Sequence, residues 1–373
     1  MAQKLKIGVI FGGRSGEHEV SLLSARSLLS VFDPTLYDIT QIGITREGIW
    51  LTGKSVLEAF ENNRYESLAP AILLPEPQNT MLMCIRKTDA GDILEPLTHL
   101  DVVFPLLHGT FGEDGTVQGL LELADVAYVG GGVLASSVGM DKVLFKEVMR
   151  ANNIPVVDSL LFTRSQLEKS MPDVVAQIET SLGYPVFVKP VNSGSSVGIS
   201  KCTSHSDLVE GLMEAAQFDR RIMVEKAVKN AREIEVSVLG NENPQASVLG
   251  EVLPSDEFYT YNAKYIEDKS QLLIPAPVDP ALSRAIQQAA VNAYSLIDCA
   301  GMARVDFLLE RGTDKYYVSE INTIPGFTKI SMYPKLWEAS GLPYPELVKR
   351  LIALALERKN ERDHTQRVYR RNA

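Results

Sequence analysis

The N-terminal segment holds the feature that most limits the fold, a strand followed by a glycine turn and a helix. Residues 5–11 are mostly apolar and predict a buried strand, Gly12 and Gly13 follow, and the leucines over 22–28 predict a helix. This order opens doubly wound sheets, in which a buried parallel strand leads through a glycine turn into a covering helix. We therefore predict an α/β fold with a Rossmann-like parallel sheet in the N-terminal domain.

The glycines of this turn do not complete a dinucleotide fingerprint. If Gly13 and Gly16 are aligned with the last two glycines of G-x-G-x-x-G, Phe11 takes the place of the first. The first glycine makes the tight turn of that motif, so a nicotinamide or flavin dinucleotide is not the expected ligand.

Composition excludes several classes of function. The 373 residues are too many for one ordinary core, so two or three domains are expected. The net charge of −10, without a dense basic stripe, argues against nucleic-acid or anionic-membrane binding. No apolar run reaches the roughly 18 residues of a membrane span, and no signal-peptide pattern precedes the first strand. The three cysteines are far apart and odd in number, which predicts reduced thiols in a cytoplasmic protein.

Further strands and a hinge can be placed along the chain. Residues 101–107 predict a second strand that ends at His108 and a glycine-rich loop. The glycine run 130–132 is typical of a hinge, and 140–150 predicts a helix. Later strands are predicted at 184–190, 222–226, 233–238, 304–307 and 316–322. The charged tail after Arg358 is expected to be solvated or frayed.

Two of these strands carry an oxygen-rich set of side chains. Glu320 and Asn322 are two residues apart on one strand, as are Arg304 and Asp306 on its neighbour, so each pair shares one face. Two carboxylates and an amide form the oxygen set that Mg²⁺ prefers, with phosphate oxygens and water as further ligands. The structural alternative is a buried salt bridge between Arg304 and one carboxylate. The amide beside the carboxylates favours the metal site.

Three lysines and one loop suit a phosphate-bearing ligand. Lys142, Lys189 and Lys264 lie in separate segments and would clamp phosphates as point charges if the fold brings them together. Taken alone, each lysine is more often a solvated charge. The loop 194–198 exposes backbone N–H groups, but alone it is an ordinary turn. Its sequence is neither a Walker A loop nor a nucleophile elbow, which argues against a P-loop NTPase and a hydrolytic triad.

Taken in chain order, these segments resemble the ATP-grasp superfamily and, within it, the D-alanine–D-alanine ligases. The similarity spans nearly the whole chain. Its landmarks are GGRSGEHEVS (12–21), PLLHGTFGEDGTVQG (105–119), GMDK (139–142), VFVKP (186–190), GSSVGIS (194–200), VEK (224–226), AKY (263–265), GMARVDF (301–307) and EINTIPGFT (320–328). The resemblance implies an N-terminal domain (1–130), two ATP-grasp subdomains with antiparallel sheets that hold ATP between them (131–226 and 227–358), and a charged tail (359–373).

The resemblance also assigns the residues that bind nucleotide and metal. Residues that match ATP-binding positions are Lys142, Lys189, Ser196, Glu225, Lys226, Glu233 and Lys264. The family pattern puts the three clamp lysines on the phosphates, Glu225 near the adenine amino group and Glu233 on the ribose hydroxyls. Asp306, Glu320 and Asn322 match the ligands of two Mg²⁺ ions, for which Mn²⁺ is expected to substitute.

The remaining matches concern the amino acids and the chemical step. Substrate-binding positions match Glu17, His108, Arg304, Ser331 and Met332. Catalytic positions match Glu17, Ser195, Tyr265, Arg304 and Gly326. The implied reaction joins two D-alanines through an acyl phosphate made from ATP. Residues 256–270 are the candidate lid that excludes water, and its AKY sequence, with Tyr265, predicts a dipeptide product.

Three rival functions stay open at this point. A D-alanine–D-lactate ligase shares nearly all of these residues, and only product analysis separates it. The segments around Glu17 and His108 argue against another peptide or carboxylate–amine ligase. The intact charged groups of the two metal-site strands argue against a catalytically inactive ATP-binding regulatory module. The family further implies a homodimer that supplies dipeptide for peptidoglycan in a bacterial cytosol.

Overall fold

The computed structural model of this protein describes residues 3–195, 197–253, 271–328 and 330–366. The predicted roles of Ser196, Lys264 and Tyr265, and the lid at 256–270, lie outside these ranges. Within them, three sheets follow one another along the chain, separated near the predicted boundaries at 130 and 226. The division into three domains itself stays a prediction. Across the described residues, no helix is long and apolar enough to cross a membrane.

The first sheet is mixed. Its eight strands are β1 (Leu5–Gly12), β2 (Tyr37–Ile44), β3 (Trp50–Thr52), β4 (Ala69–Leu73), β5 (Met81–Thr88), β6 (Gly91–His99), β7 (Val102–Pro105) and β8 (Ala127–Tyr128), in the spatial order β6-β5-β4-β3-β2-β1-β7-β8. The half β2-β1-β7-β8 is parallel, as predicted. The half β3–β6 is antiparallel, and the sequence analysis had not predicted it.

Burial explains why one half was predictable and the other was not. The helices of this part are α1 (His18–Leu29), α2 (Val56–Glu61) and α3 (Thr116–Leu123). On β1, Ile7 and Val9 pack in a cluster with α1, while Ile10 packs in a second cluster on the opposite face with α3. Strands buried on both faces read as continuous apolar runs. At the sheet edge, β6 leaves Leu94 and Leu97 about half exposed, so its apolar residues carry no burial pattern.

The second sheet has four antiparallel strands. Its elements are α4 (Val133–Met140), α5 (Lys142–Ala151), β9 (Ser159–Thr163), α6 (Arg164–Ser181), β10 (Val186–Pro190), β11 (Ser200–Cys202), α7 (His205–Phe218) and β12 (Arg221–Lys226). The strand order is β11-β10-β12-β9. Capping boxes begin α6, at Thr163 and Gln166, and α7, at Ser204 and Asp207. The predicted strands at 184–190 and 222–226 are confirmed as β10 and β12.

The third sheet has five antiparallel strands. Its elements are β13 (Ala231–Gly240), β14 (Gln245–Leu253), β15 (Gln271–Leu273), α8 (Pro280–Leu296), β16 (Gly301–Glu310), β17 (Tyr316–Asn322), α9 (Met332–Ala339) and α10 (Tyr344–Asp363), with strand order β15-β14-β13-β16-β17. On β13, Ile234 and Val236 pack in a cluster with α8. Because side chains alternate along a strand, Glu233, Glu235 and Ser237 lie on the opposite face.

The expectation of a solvated or frayed tail after Arg358 holds only in part. Residues 359–363 belong to α10 and are not frayed, while Asn360, Glu361 and Asp363 are exposed. This helix buries Leu347 and Leu351 in the same core cluster as the first sheet. The Arg358 guanidinium carbon lies 4.2 Å from the centre of the Tyr128 ring, and Lys359 and Asp125 form an ion pair of 3.3 Å. The charges of the tail therefore have partners on the N-terminal domain, which local sequence does not reveal.

Candidate active site

One cleft collects six of the residues singled out by sequence. Its walls come from the loop after β1, the start of α5, the loop after β10 and the ends of β16 and β17. Among the predicted residues it brings together Glu17, Lys142, Ser195, Arg304, Glu320 and Asn322. The other predicted residues of the described ranges do not line this cleft, and they are His108, Lys189, Glu225, Lys226, Glu233, Asp306, Gly326, Ser331 and Met332.

The carboxylate side of the cleft is the edge formed by β16 and β17. Asp306 stands opposite Glu320 in the strand register, and Arg304 stands opposite Asn322. Arg304 donates two hydrogen bonds of 2.7 Å to Asp306, and Asn322 Nδ2 donates to the same carboxylate at 3.1 Å. The salt bridge weighed against a metal site is therefore present. It lies within the same cluster of two carboxylates and an amide, whose donor chemistry still fits a hard cation.

Glu235 is a further carboxylate on this side, and the sequence analysis gave it no role. It is buried on β13, directly opposite Asp306 in register, and its Oε2 lies 3.0 Å from Nε of Arg304. The guanidinium thus lies between Glu235 and Asp306, which fixes its direction in the cleft. The alternation of acidic and apolar residues at 233–238 was the signal that could have identified Glu235.

Glu17 and Ser195 bring the first and second sheets together at the cleft. The Ser195 hydroxyl donates a hydrogen bond to Glu17 Oε1. A Cβ on Gly194 would lie 2.5 Å from Glu17 Oε2, so a side chain at this position would displace the Glu17 carboxylate. Behind them, Ser15 Oγ donates to the His108 carbonyl at 2.7 Å and accepts from the Glu17 backbone N–H at 3.1 Å.

His108 is buried, and both of its ring nitrogens have partners. Nδ1 lies 3.0 Å from the Ile324 carbonyl oxygen, and Nε2 lies 3.0 Å from Ser24 Oγ. The Phe327 N–H donates to the same serine oxygen at 3.3 Å. A neutral ring that donates from Nδ1 and accepts at Nε2 satisfies these contacts. Burial lowers the pKa of His108, which favours the same neutral form. His108 therefore supports the loop at 324–327, and its contact with substrate stays a prediction.

Glu113 is a half-buried carboxyl of the cleft that was not predicted from the sequence. It accepts hydrogen bonds from the backbone N–H groups of Gly109, at 2.9 Å, and Ile324, at 3.0 Å. Burial, with a further contribution from the charge of Glu17, raises the pKa of Glu113 to about 8. The acidic pair in the loop Gly-Glu-Asp-Gly was visible in the sequence, but nothing local distinguished this carboxyl from a solvated one.

The lysine side of the cleft is formed by α5 and the second sheet. Lys142 Nζ donates to the Ser193 carbonyl at 2.6 Å and lies 3.6 Å from Glu320. Lys189 Nζ donates to Glu225 Oε2 at 2.7 Å, and Lys146 donates to Oε1 of the same carboxylate. Burial alone would raise the pKa of Glu225, but the two lysines outweigh it and lower that pKa to about 2. Sequence analysis missed Lys146.

Two other predicted ATP positions lie on β12 and β13. Lys226 has an exposed side chain at the end of β12, and Glu233 is half-buried near the start of β13. Their contacts with nucleotide stay predictions.

The segment predicted to receive the second amino acid precedes and begins α9. Ser331 Oγ accepts the backbone N–H of Thr328 at 3.0 Å, and the two hydroxyls lie 2.7 Å apart. A Cβ on Gly326 would lie 2.8 Å from Ser331 Oγ, so glycine permits this turn. Met332 is buried against Leu336. The N–H groups of the first turn of a helix suit a carboxylate.

Three sheets around a cleft with lysines on one side and carboxylates on the other define an ATP-grasp ligase. Family models described as D-ala D-ala ligase N-terminus and C-terminus match residues 6–131 and 148–353. The chain belongs to the D-alanine–D-alanine ligase family.

Individual relatives agree with this assignment. The D-alanine–D-alanine ligase of Natranaerobius thermophilus is 46% identical over 362 residues, 97% of each chain. That of Chloroherpeton thalassium is 48% identical over 363 residues, covering 96% of this chain and 98% of the relative. The solved D-alanine-D-alanine ligase of Coxiella burnetii is 37% identical with a TM-score of 0.81, covering 97% of each chain. The VanG D-Ala:D-Ser ligase of Enterococcus faecalis is 35% identical, also with a TM-score of 0.81, covering 95% of this chain and 100% of that chain.

Proposed function

We propose that this protein is an ATP-dependent ligase that joins two D-alanine molecules into D-alanyl-D-alanine. The observation that carries the proposal is the meeting of the lysine side and the carboxylate side in one cleft, where Lys142 lies 3.6 Å from Glu320. A carboxylate is a weak nucleophile towards an anionic phosphate, so the charges of both must be neutralised. A cleft with both kinds of side chain can hold the two reactants together.

The nucleotide would lie on the lysine side. Lys142, Lys189 and Lys264 would contact its phosphates, and Glu225, followed by Lys226, would face the adenine ring. Ser196 would cover the phosphates, and Glu233 would bind the ribose hydroxyls. Asp306, Glu320 and Asn322 would hold two Mg²⁺ ions, with Mn²⁺ as a substitute. When bound, these ions neutralise charge on the phosphates.

The amino acids would lie on the carboxylate side and towards α9. Glu17 would bind the ammonium of the first D-alanine, whose carboxylate attacks the γ-phosphorus to give an acyl phosphate and ADP. The amine of the second D-alanine then attacks the acyl carbon, and phosphate leaves. Arg304 and the Gly326 N–H would stabilise the tetrahedral oxyanion. Ser331 and the N–H of Met332 would receive the second carboxylate.

Two further residues would complete the chemical step. Ser195, which donates to Glu17, would fix the direction of that carboxylate. Tyr265 of the lid would join the same hydrogen-bond chain and favour an amine over water or a hydroxyl as the attacking group. His108 would contribute by supporting the loop that carries Gly326.

The test is phosphate release from ATP and Mg²⁺ with D-alanine, together with separation of the products. We expect D-alanyl-D-alanine to form in step with phosphate. Phosphate release only with another amino or hydroxy acid would keep the ligase chemistry and overturn the substrate. Nucleotide binding without phosphate release in the presence of any acid would favour the hypothesis that the protein is an inactive regulatory module.

The second substrate has a specific competitor. The solved D-Ala:D-Ser ligase is 35% identical to this chain, so the fold alone does not select D-alanine at the second site. Competition among D-alanine, D-serine and D-lactate at fixed ATP separates these products. We expect the dipeptide D-alanyl-D-alanine to predominate, because the lid carries the sequence AKY at 263–265.

The biological setting follows from the same assignment. We propose that the dipeptide serves peptidoglycan precursor synthesis in the cytoplasm and that the protein forms a homodimer. Sedimentation of the purified protein tests the dimer, with a monomer as the contradicting result.

A further inference from the structure

Lys146 is a buried cation that the proposed mechanism does not use. It lies one helical turn after Lys142 on α5, so both side chains leave the same face of the helix. Lys142 points into the cleft, whereas the Lys146 side chain is only 1% exposed and ends on Glu225. A buried lysine is costly unless it is paired, so its presence here requires a reason.

The two oxygens of Glu225 are divided between two lysines. Lys146 bonds Oε1, and Lys189 bonds Oε2 at 2.7 Å. The side chains of Lys146 and Glu225 are 1% and 2% exposed, while that of Lys189 is 15% exposed. Lys146 and Glu225 thus form a sealed ion pair, and Lys189 is the more exposed partner of the same carboxylate.

We propose that Lys146 is a positioning residue that keeps Glu225 paired, so that Lys189 can leave this carboxylate for a phosphate of the bound nucleotide. The proposal rests on the proposed function, because it takes ATP as the ligand and Lys189 as a phosphate contact. Without Lys146, any movement of Lys189 towards phosphate would leave a buried carboxylate without a counter-charge. That penalty would be subtracted from the binding energy of the phosphates.

The charges around Lys189 agree with this exchange. Lys146, Lys189 and Glu225 together carry a net charge of +1, and Glu320 and Glu233 also act on Lys189 and help to keep it cationic. Burial lowers the pKa of Lys146, although Glu225 opposes that effect. Burial would also lower the pKa of Lys189, but the charges of Glu225 and its neighbours raise it, so Lys189 stays cationic for a phosphate.

The experiment compares the ATP analogue AMP-PNP with adenosine, which lacks phosphates, in the protein and its Lys146→Met variant. Dissociation constants for the non-hydrolysed analogue AMP-PNP and for adenosine are measured by competition against a fluorescent ADP analogue. We expect AMP-PNP to bind the variant about 10- to 100-fold more weakly, the value of one charge-assisted hydrogen bond, with adenosine changed by less than about twofold. Equal weakening of both ligands, or no change in either, would overturn the proposal.

The exposed Lys169→Met change, on α6 of the same part of the chain, is the matched control and should alter neither constant.

If Lys146→Met does not fold, Lys146→Met/Glu225→Gln removes both buried charges and keeps an acceptor near the adenine site. Lys189 then has no carboxylate to leave, so the ratio of the adenosine and AMP-PNP constants should stay within about threefold of the parent. If the double variant binds AMP-PNP about tenfold more weakly than the parent while its affinity for adenosine is unchanged, the proposal is wrong. These binding measurements do not depend on which acid is ligated, so they fail separately from the proposed function.

Discussion

The two sides of the cleft carry opposite net charges, although both are built on antiparallel sheets. On the second sheet, Glu225 is held between Lys146 and Lys189, which leaves one positive charge. On the third sheet, Arg304 lies between Asp306 and Glu235, with Glu320 opposite Asp306. One guanidinium among three carboxylates leaves two negative charges. The comparison teaches that a single cleft can attract phosphates on one side and hard cations on the other.

Two glutamates near the cleft show the same contrast. The lysines beside Glu225 lower its pKa to about 2, whereas desolvation and the charge of Glu17 raise the pKa of Glu113 to about 8. Desolvation raises the pKa of both carboxyls, so the neighbouring charges decide the sign of the shift. Glu225 therefore stays ionised at neutral pH, whereas Glu113 keeps its proton up to about pH 8.

The largest expected effect is on the carboxylate side. Glu320→Gln should lower phosphate release with D-alanine below about 1% of the parent, because it removes charge from the cation-binding edge. Mn²⁺ binding followed by electron paramagnetic resonance should weaken by at least about tenfold. Asp314→Asn, in the exposed turn between β16 and β17, is the control and should change neither. Unchanged Mn²⁺ affinity in Glu320→Gln would show that the carboxylate side does not bind the cation and would contradict the comparison of the two sides.

A smaller effect is expected from the carboxylate that directs Arg304. Glu235→Gln should lower kcat by about tenfold and leave the KM for ATP within about twofold, because the Arg304 guanidinium loses a charged partner that directs it. Glu251→Gln is the matched control, since Glu251 is a buried glutamate of the same sheet that is paired with Arg232 at 2.7 Å. Both variants should lose similar stability. If kcat falls in Glu251→Gln as well, the fall in Glu235→Gln results from lost stability and not from a change at Arg304.

The smallest effect concerns Glu113 and pH. Its pKa is raised from 4.5 to about 8 by folding, so the protonated form contributes stability that is complete below pH 4.5 and is lost as pH rises towards 8. Glu113→Gln removes this dependence. The melting temperature of the parent, relative to the variant, should therefore fall across this interval. The exposed Glu338→Gln corrects for the loss of one charge. If the difference in melting temperature between the parent and Glu113→Gln does not change with pH, Glu113 does not have the raised pKa that the comparison with Glu225 requires.

Sequence predicted the carboxylate side because its pattern is local. The period-two spacing of Arg304 with Asp306, and of Glu320 with Asn322, placed each pair on one face, and the two strands are neighbours as expected. The first parallel strand was predictable for a similar reason, because burial on both faces leaves a continuous apolar run. The antiparallel strands β3–β6 lack either pattern over much of their length.

The missed residues depend on contacts that are distant in sequence. Lys146 is 79 residues from Glu225, and Glu113 is 211 residues from Ile324. No local pattern distinguishes either side chain from an ordinary surface charge, because only the closed fold removes them from water. The same holds for Arg362, whose partner Asp125 is 237 residues away.

The central claim is that both sides of the cleft serve one reaction, in which phosphoryl transfer from ATP to the carboxylate of D-alanine is followed by transfer of the acyl group to an amine, with release of phosphate. The most direct measurement uses D-alanine labelled with ¹⁸O in both carboxylate oxygens, with mass analysis of the phosphate released. Attack of that carboxylate on the γ-phosphorus predicts one ¹⁸O in each phosphate and one ¹⁸O in the peptide carbonyl of the dipeptide. Unlabelled phosphate formed together with dipeptide would contradict the acyl phosphate and, with it, this account of the cleft.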